Sequence, residues 1–277
     1  MLAVALTSSL TLKAGKVVDD SLYSNILSSE VRFKVYLPSG FNESGETYPV
    51  IYLLHGLWDD CDSWEGKGSM RRVANELMED GESRRAIIIM PNAGGKPKDN
   101  PWYGYFNMPG WNYEDFFFKE FIPEVEKRYR CISDKAHRAI MGLSMGGGGS
   151  AVYAQRHPEM FSSCYIMSGW LDNSNNDVDS SESPKIAMVC RSVTEHSALD
   201  YIRNASPEQV KAMNTVKWMI DCGDDDFLLR YSIDFHFLMN KAGIKTELRV
   251  RNGIHNWEYW HLALRLALPF ASRNFGK

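Results

Sequence analysis

The sequence lacks the features that would place it in several large classes of protein. It has no strongly basic stretch and no long run of one charge: 31 basic residues balance 35 acidic ones in 277, for a net charge of −4. Nucleic acid and anionic membranes are therefore not expected partners. Outside the N-terminal segment, no stretch approaches the ~20 apolar residues of a membrane span. There is also no internal repeat or heptad array, which argues against repeat and coiled-coil architectures.

Cysteine is sparse and follows no recognisable pattern. Five cysteines occur, none of them in a CxxC pair or in a Cys/His cluster with zinc spacing. The odd number argues against a complete disulfide framework, and Cys164 and Cys222 lie in apolar runs. We therefore expect the cysteines to be small buried side chains, and we expect neither a metal centre nor a cofactor.

The N-terminal segment has part of the pattern of an export signal. Residues 1–12 are mostly apolar or small, and a small-residue pair, Ala14 and Gly15, follows. No positive n-region precedes it, and Leu12 is a poor residue two positions before Ala14. We expect residues 1–20 to be a leader or unstructured N-terminus and the protein to be secreted or periplasmic. The alternatives are a cytoplasmic protein and a first edge strand.

Short apolar runs alternate with amphipathic segments along the rest of the chain. This alternation predicts one α/β domain over residues 21–277, with a mostly parallel sheet and helices on both faces. The predicted strands are residues 31–37, 48–54, 86–90, 137–143, 163–167, 216–222 and 246–250. The predicted helices are residues 70–78, 113–129, 145–156, 227–241 and 258–270.

A polar segment over residues 171–214 interrupts this alternation. Its first part is rich in Ser, Asn and Asp, and Ser206, Pro207 and Gln209 later form a helix-start pattern. The segment follows a strand whose carboxyl end should face the ligand site of an open α/β sheet. We therefore expect a lid insertion over that site.

A nucleophile motif lies between a predicted strand and a predicted helix. Gly142, Ser144 and Gly146 form a Gly-x-Ser-x-Gly pattern. In this context the serine sits on a strained strand-to-helix turn that exposes its oxygen, and the glycines leave room for the turn. The spacing fits neither a dinucleotide-binding loop nor a P-loop. The sequence predicts that Ser144 is a catalytic nucleophile.

The residues that should activate Ser144 follow it in the order Ser, acid, His that this motif requires. Asp226 comes after a late strand, at the junction with the next helix, whereas Asp224 and Asp225 fit solvated turn positions. His255 lies in a loop before the last helix. We predict that Asp226 is the acid of the triad and His255 its general base.

Acyl transfer also needs N–H donors for the developing oxyanion. The amide of Met145, directly after the nucleophile, is one candidate. The other is the amide of Leu57, in the turn that follows the buried strand 48–54. Gly56 permits the close backbone turn there. A plain turn without this role is the alternative.

Taken together, these motifs resemble the esterase D-like branch of the α/β-hydrolases. The resemblance extends over residues 31–270 and rests on the following segments: Tyr52-Leu-Leu-His-Gly56 with Trp64, Pro91-Asn92, Phe121-Ile-Pro-Glu-Val125, Gly142-Leu-Ser-Met-Gly-Gly147, Cys222-Gly223 with Asp226-Phe227, and His255 with Trp257 and Trp260. That branch holds feruloyl and acetyl xylan esterases, tributyrin esterases, S-formylglutathione hydrolases and mycolyltransferases. The resemblance implies the α/β-hydrolase fold and a serine esterase activity.

Tryptophans near the predicted site loops are candidates for substrate contacts. Aromatic side chains offer stacking faces for sugars or cinnamoyl rings, although some could instead pack the fold. The candidates are Trp64, Trp102, Trp170 and Trp257. We expect a feruloyl or acetyl esterase acting on plant polysaccharide fragments, with a small-molecule or oligosaccharide ester as partner. The alternatives are a short-chain acyl esterase, an S-formylglutathione-type thioesterase and a non-catalytic binding protein.

Overall fold

The computed structural model describes residues 14–94, 103–174 and 184–277. Within them, apolar runs form the strands of one eight-stranded sheet, and a short two-stranded ribbon lies beside it. The strands are β1 Lys16–Ser24, β2 Ser29–Leu37, β3 Val50–Leu54, β4 Ile87–Pro91, β5 Asn107–Met108, β6 Trp111–Asn112, β7 Arg138–Leu143, β8 Ser163–Met167, β9 Lys217–Gly223 and β10 Thr246–Arg251.

The large sheet has the order β1-β2-β4-β3-β7-β8-β9-β10. The first two strands are antiparallel to their neighbours, and the pairs from β4–β3 through β9–β10 are parallel. Strands β3, β4, β7 and β8 are fully buried, as continuous apolar runs covered on both faces should be. Parallel pairing brings the carboxyl ends of these strands to one edge of the sheet, where ligands bind in open α/β folds.

Helices cover both faces of the sheet, and a separate apolar core lies on each face. The helices α3 and α11 pack together on one face, and α6 and α10 contribute to the core on the other. The α-helices are α1 Phe41–Ser44, α2 Ser63–Gly66, α3 Met70–Glu79, α4 Tyr113–Phe116, α5 Ile122–Arg128, α6 Met145–Arg156, α7 Pro184–Glu195, α8 Ala198–Arg203, α9 Pro207–Met213, α10 Leu229–Lys241 and α11 Trp257–Arg273. A π-helical turn, Phe117–Phe121, joins α4 to α5.

The folded domain begins before the predicted boundary at residue 21. Residues 16–20, assigned to a leader by the sequence pattern, pair with β2 as the first half of β1. The edge-strand alternative therefore holds for these residues. Asn75 Nδ2 donates to the carbonyl of Gly15 at 3.3 Å, which ties the start of the strand to α3. Residues 1–13 lie outside the described ranges.

The described part of the insertion packs against the body of the domain. Helix α8 packs on α6 and α10, α9 contacts α6, and α7 contacts β5. The predicted helix start is present: Ser206 and Gln209 form a capping box at α9. The polar composition of residues 173–183 predicts a mobile stretch, but its first residue, Asn173, is buried and accepts a hydrogen bond from Trp170 Nε1 at 3.2 Å. Residues 175–183, which are part of the predicted lid over 171–214, lie outside the described residues.

Candidate active site

Ser144 lies on the turn that joins β7 to α6. Its φ of 53° and ψ of −118° place it in the left-handed half of backbone space, which a residue with a side chain rarely adopts. A side chain on Gly142 would come within 2.4 Å of the Gly146 carbonyl, and one on Gly146 within 2.5 Å of the His55 carbonyl. Both glycines are therefore required by close backbone approach, as the motif predicts.

The structure brings Ser144, His255 and Asp226 into one hydrogen-bonded chain, as their order in the sequence predicts. The Ser144 hydroxyl is 3.0 Å from His255 Nε2. On its other side, His255 Nδ1 lies 3.0 and 2.9 Å from the two carboxylate oxygens of Asp226. In the tautomer that fits this chain, Nδ1–H donates to Asp226 and Nε2 accepts from Ser144. This arrangement can remove the serine proton during attack on an ester.

Two further groups hold the Asp226 carboxylate in place. The amide of Leu228 donates to Asp226 Oδ1 at 2.8 Å, and the hydroxyl of Ser168 also hydrogen-bonds the carboxylate. Burial is the largest single influence on Asp226 and raises its pKa. The hydrogen bonds from His255, Leu228 and Ser168 outweigh it, so the pKa of Asp226 lies below its usual value. The carboxylate is therefore kept ionised beside the imidazole.

The neighbouring carboxylates have other positions. Asp224 accepts a hydrogen bond from the Gly253 amide at 2.8 Å, which ties the turn after β9 to the loop before α11. Asp224 and Asp225 are exposed, whereas Asp226 is buried. Of these three residues, Asp226 is the one whose carboxylate meets His255, in line with the sequence interpretation.

Ser168 was missed by the sequence analysis. It is fully buried directly after β8, and its φ of 46° is left-handed. Its hydroxyl oxygen accepts from Trp260 Nε1 at 3.1 Å, and the Trp260 ring meets His255 edge-on at 4.8 Å. Ser168 thus links Asp226 to the residue that packs on the imidazole. Its position at the carboxyl end of a buried parallel strand is a signal that could have identified it.

The turn that carries Leu57 is held by buried side chains. The His55 Nδ1–H donates to the Gly56 carbonyl at 2.9 Å, and Nε2 accepts from the Ala93 amide at 3.0 Å. Burial lowers the pKa of His55, in keeping with a neutral ring. The Tyr105 hydroxyl accepts from the His55 amide at 2.8 Å and donates to its carbonyl at 3.0 Å.

Both predicted oxyanion donors belong to this part of the site. Leu57 lines the same cavity as Ser144. Met145 is the first residue of α6, where a backbone N–H has no acceptor within the helix. The helix dipole adds positive potential at this end. The arrangement agrees with the proposed pair of donors, whose role stays a prediction.

A cavity of about 510 Å³ opens at Ser144. Its wall is predominantly apolar and aromatic, with a few polar groups among the lining residues. The described residues that line it are Gly56, Leu57, Trp58, Asp59, Lys67, Leu143, Ser144, Trp170, Phe227, Leu228, His255, Asn256, Trp257 and Trp260. Residues 184–214, the described helical part of the insertion, are not in this set. Such a pocket suits an apolar group with a few polar substituents.

The four tryptophans proposed as substrate contacts have different positions. Trp170 and Trp257 are half-buried and line the cavity. Trp64 does not, because it is fully buried beneath Trp257, with ring centroids 5.2 Å apart, and donates from Nε1 to the Leu54 carbonyl. It packs the fold and supports Trp257, so the prediction of direct contact was wrong. Trp102 lies outside the described residues.

The structure adds two aromatic residues at the mouth of the cavity. Trp58 is 60% exposed and Phe227 is 74% exposed, and both are adjacent in sequence to residues already singled out, Leu57 and Asp226. The Phe227 ring lies 4.5 Å from that of His255. Large apolar side chains left open to solvent beside the predicted nucleophile indicate a binding surface. Their proximity to the motifs was the available signal.

Two other kinds of feature are absent from the part of the chain that the structure describes. No group of three or more His, Cys, Asp or Glu side chains there could hold a metal ion. None of the helices described is long and apolar enough to cross a membrane. Within the same ranges all five cysteines are free, and all but the half-buried Cys190 are buried, as expected for small apolar side chains.

Comparison with known proteins gives matches over nearly the whole chain. The Esterase family model matches residues 24–271. A solved structure of a ferulic acid esterase is 45% identical, with a TM-score of 0.90 over 95% of this chain and 99% of its own. A solved S-formylglutathione hydrolase from Staphylococcus aureus is 21% identical, with a TM-score of 0.75 over 94% of this chain and 100% of its own, and this likeness shows the fold alone.

A curated relative is a larger protein. An endo-1,4-β-xylanase/feruloyl esterase from Xylanibacter ruminicola is 30% identical over 159 residues, which are 56% of this chain and 22% of that protein. The chain thus spans about a quarter of the length of the first curated relatives it matches, the next ones being covered to 28%.

Proposed function

The chain belongs to the Esterase family, and on that premise we propose that it is a feruloyl esterase, a serine carboxylic-ester hydrolase that cleaves hydroxycinnamoyl esters of plant polysaccharide fragments. The observation that carries this proposal is the 45% identity, along nearly the whole of both chains, to a ferulic acid esterase. The aromatic cavity beside Ser144 supports it, because a cinnamoyl ring can stack on indole faces there.

The first half-reaction follows from the geometry of the triad. Ser144 Oγ attacks the ester carbonyl carbon while its proton passes to His255 Nε2, 3.0 Å away. Asp226 stabilises the imidazolium that forms. The carbonyl oxygen becomes an oxyanion, for which the amides of Leu57 and Met145 are the proposed donors. His255 then gives the proton to the alcohol oxygen as the ester bond breaks, which leaves an acyl group on Ser144.

Water completes the cycle by the reverse set of proton transfers. His255 takes a proton from a water molecule that attacks the acyl carbon. The tetrahedral intermediate collapses, the bond to Ser144 Oγ breaks, and His255 returns the proton to that oxygen. The products are the free acid and the regenerated enzyme.

A hydrolysis panel tests the proposal. The purified protein should cleave methyl ferulate with a higher kcat/KM than tributyrin, acetylated xylan or S-formylglutathione. Ser144→Ala should abolish turnover of each substrate that the wild type accepts. A preference for tributyrin or S-formylglutathione would contradict the feruloyl assignment and favour one of the alternatives considered from the sequence. Absence of fluorophosphonate labelling at Ser144 would instead indicate a non-catalytic protein.

A further inference from the structure

The active-site cavity contains one charged pair that the reaction does not use. Lys67 Nζ lies 2.7 Å from Asp59 Oδ1, and both residues line the cavity that holds Ser144. Most of the remaining wall is aromatic or aliphatic. In pockets of this kind, a small number of polar groups fixes the orientation of the ligand. The pair is therefore a candidate for substrate recognition.

The carboxylate of Asp59 is buried close to the nucleophile. Only 7% of its side chain is exposed. A side-chain carbon on Gly56 would be 3.3 Å from Asp59 Oδ2 and 3.5 Å from Ser144 Cβ, so these two atoms flank the same point of the cavity wall. Oδ2 is the oxygen that has no hydrogen bond to Lys67. An acceptor thus lies beside the reacting centre.

The ammonium of Lys67 lies beside Trp257, another residue of the cavity wall. The Lys67 side chain is 53% exposed, and Nζ lies 5.8 Å from the centre of the Trp257 ring. Asp59 accepts only one of the three N–H bonds that a lysine can donate. The pair therefore offers a donor and an acceptor next to each other, on the side of the cavity formed by Trp257.

The charges of the pair decide which group it can take. A substrate carboxylate could reach Lys67 only by lying beside the Asp59 carboxylate, which would repel it. A substrate cation that approached Asp59 would be repelled by the Lys67 ammonium. A neutral hydroxyl avoids both repulsions, because it donates to Asp59 and accepts from Lys67. Hydrogen bonds to charged partners are stronger than those between neutral groups.

We propose that Asp59 and Lys67 form a subsite for a hydroxyl group of the substrate. This inference rests on the proposed function, whose substrates carry such a group in two places. One is the phenolic 4-hydroxyl of the hydroxycinnamoyl ring, and the other is a sugar hydroxyl of the alcohol. The subsite makes the enzyme prefer esters with that hydroxyl over the same esters without it.

The first arm of the experiment varies the acyl group. The ratio of kcat/KM for methyl ferulate to that for methyl 3,4-dimethoxycinnamate is measured in the wild type, Lys67→Met and Asp59→Asn. If the phenolic hydroxyl occupies the subsite, the ratio should be about ten in the wild type and close to one in each variant. Lys67→Gln, which keeps a polar side chain, replaces Lys67→Met if circular dichroism shows misfolding.

The second arm varies the alcohol. The ratio of kcat/KM for 5-O-feruloyl arabinose to that for methyl ferulate should fall by a similar factor in the same variants if a sugar hydroxyl occupies the subsite. Lys119→Met is the matched control, because Lys119 forms an ion pair with Asp115 at 2.9 Å outside the cavity. It should keep both wild-type ratios.

The outcomes separate the two proposals. If the wild type turns over feruloyl esters and neither ratio changes in either variant, the subsite is overturned and the feruloyl esterase assignment stands. If the wild type does not turn over any feruloyl ester, the assignment fails, and the subsite fails with it.

Discussion

At the residue scale, the ionised state of Asp226 depends on the groups around it. Three adjacent aspartates follow β9, and only Asp226 meets His255. A buried carboxylate without donors would take up a proton, whereas Asp226 receives hydrogen bonds from His255, the Leu228 amide and Ser168. The surroundings, and not the residue type, therefore make this aspartate suited to orient the imidazole of His255.

We predict that Asp226→Asn lowers kcat by about a thousandfold or more, because the amide cannot stabilise the imidazolium. Asp225→Asn, an exposed neighbour, is the control and should stay within about threefold of the wild type. Steady-state kinetics on methyl ferulate, or on tributyrin if that is the better substrate, measures both variants. The reverse ranking would show that the acid has been assigned to the wrong carboxylate.

Ser168→Ala should shift the acidic limb of the pH profile of kcat/KM to higher pH. Loss of the Ser168 hydroxyl removes a hydrogen-bond donor to Asp226, so the Asp226 carboxylate becomes more basic. The His255–Asp226 pair then binds its proton more strongly and loses it only at higher pH. We expect kcat at neutral pH to fall by about tenfold as well.

Ser163→Ala is the control for this prediction. Ser163 is buried at the start of β8, the opposite end of the strand that Ser168 follows, and its hydroxyl has no hydrogen-bond partner among the described residues. Its replacement should leave the pH profile at its wild-type position. An unshifted acidic limb in Ser168→Ala would show that Ser168 does not act through Asp226.

At the element scale, the position of α6 depends on close contact between its backbone and the backbone of a neighbouring loop. Eleven of its twelve residues are buried, and the helix passes so near the loop after β8 that a side chain on Gly148 would come within 2.2 Å of the Trp170 carbonyl. The same loop is bound to the elbow, because the Trp170 amide donates to the Ser144 carbonyl at 2.9 Å. Displacement of this loop would move both the elbow and a cavity wall.

We predict that Gly148→Ala destabilises the protein by about 1–3 kcal/mol, because backbone atoms must shift to admit the methyl group. It should also raise KM through movement of Trp170. Gly66→Ala is the control: it lies in α2 with no atom within 4 Å of an added Cβ, so the melting temperature should stay equal or rise slightly. Thermal unfolding measures both. A melting temperature of Gly148→Ala equal to that of the wild type would disprove the close-approach argument.

At the scale of the whole molecule, a buried ion pair joins helix and sheet. Arg138 of β7 donates to both carboxylate oxygens of Glu126 of α5, at 2.6 and 2.8 Å, and Tyr52 of β3 donates to the same carboxylate at 3.1 Å. The Arg138 and Glu126 side chains are 6% and 3% exposed. Burial is the largest single effect on Arg138 and lowers its pKa. The hydrogen bonds to Glu126 and the negative charge of Glu126 together outweigh burial, so the pKa of Arg138 is raised.

Arg138→Met should lower the free energy of unfolding by about 3–5 kcal/mol, because it leaves the Glu126 carboxylate buried without its counter-ion. Lys119→Met, which removes an exposed i,i+4 pair with Asp115, should cost about 0.5 kcal/mol or less. Urea denaturation with equal m-values measures both. Equal costs for the two variants would show that burial does not govern the contribution of these pairs.

The local elements were largely predictable from the sequence. The strand predicted over residues 163–167 matches β8, and that over residues 246–250 matches β10 to within one residue. An edge strand near the N-terminus was predicted only as an alternative to a leader, because the sequence of β1 contains two adjacent aspartates and alternates weakly. As an edge strand with β2 as its neighbour, it lacks the apolar run of a strand that is buried on both faces.

The sequence by itself determined the alternation of elements and the order of Ser144, Asp226 and His255. The alternation follows from local hydrophobic periodicity, and the three residues lie in motifs that specific turns require. Only the tertiary structure decided that Trp64 packs beneath Trp257, that Ser168 reaches Asp226, and that Lys67 enters the cavity. Such contacts join residues from different elements. Their distances follow from how helices and loops pack on the sheet. Burial against a residue that is distant in sequence cannot be read from the local hydrophobic pattern.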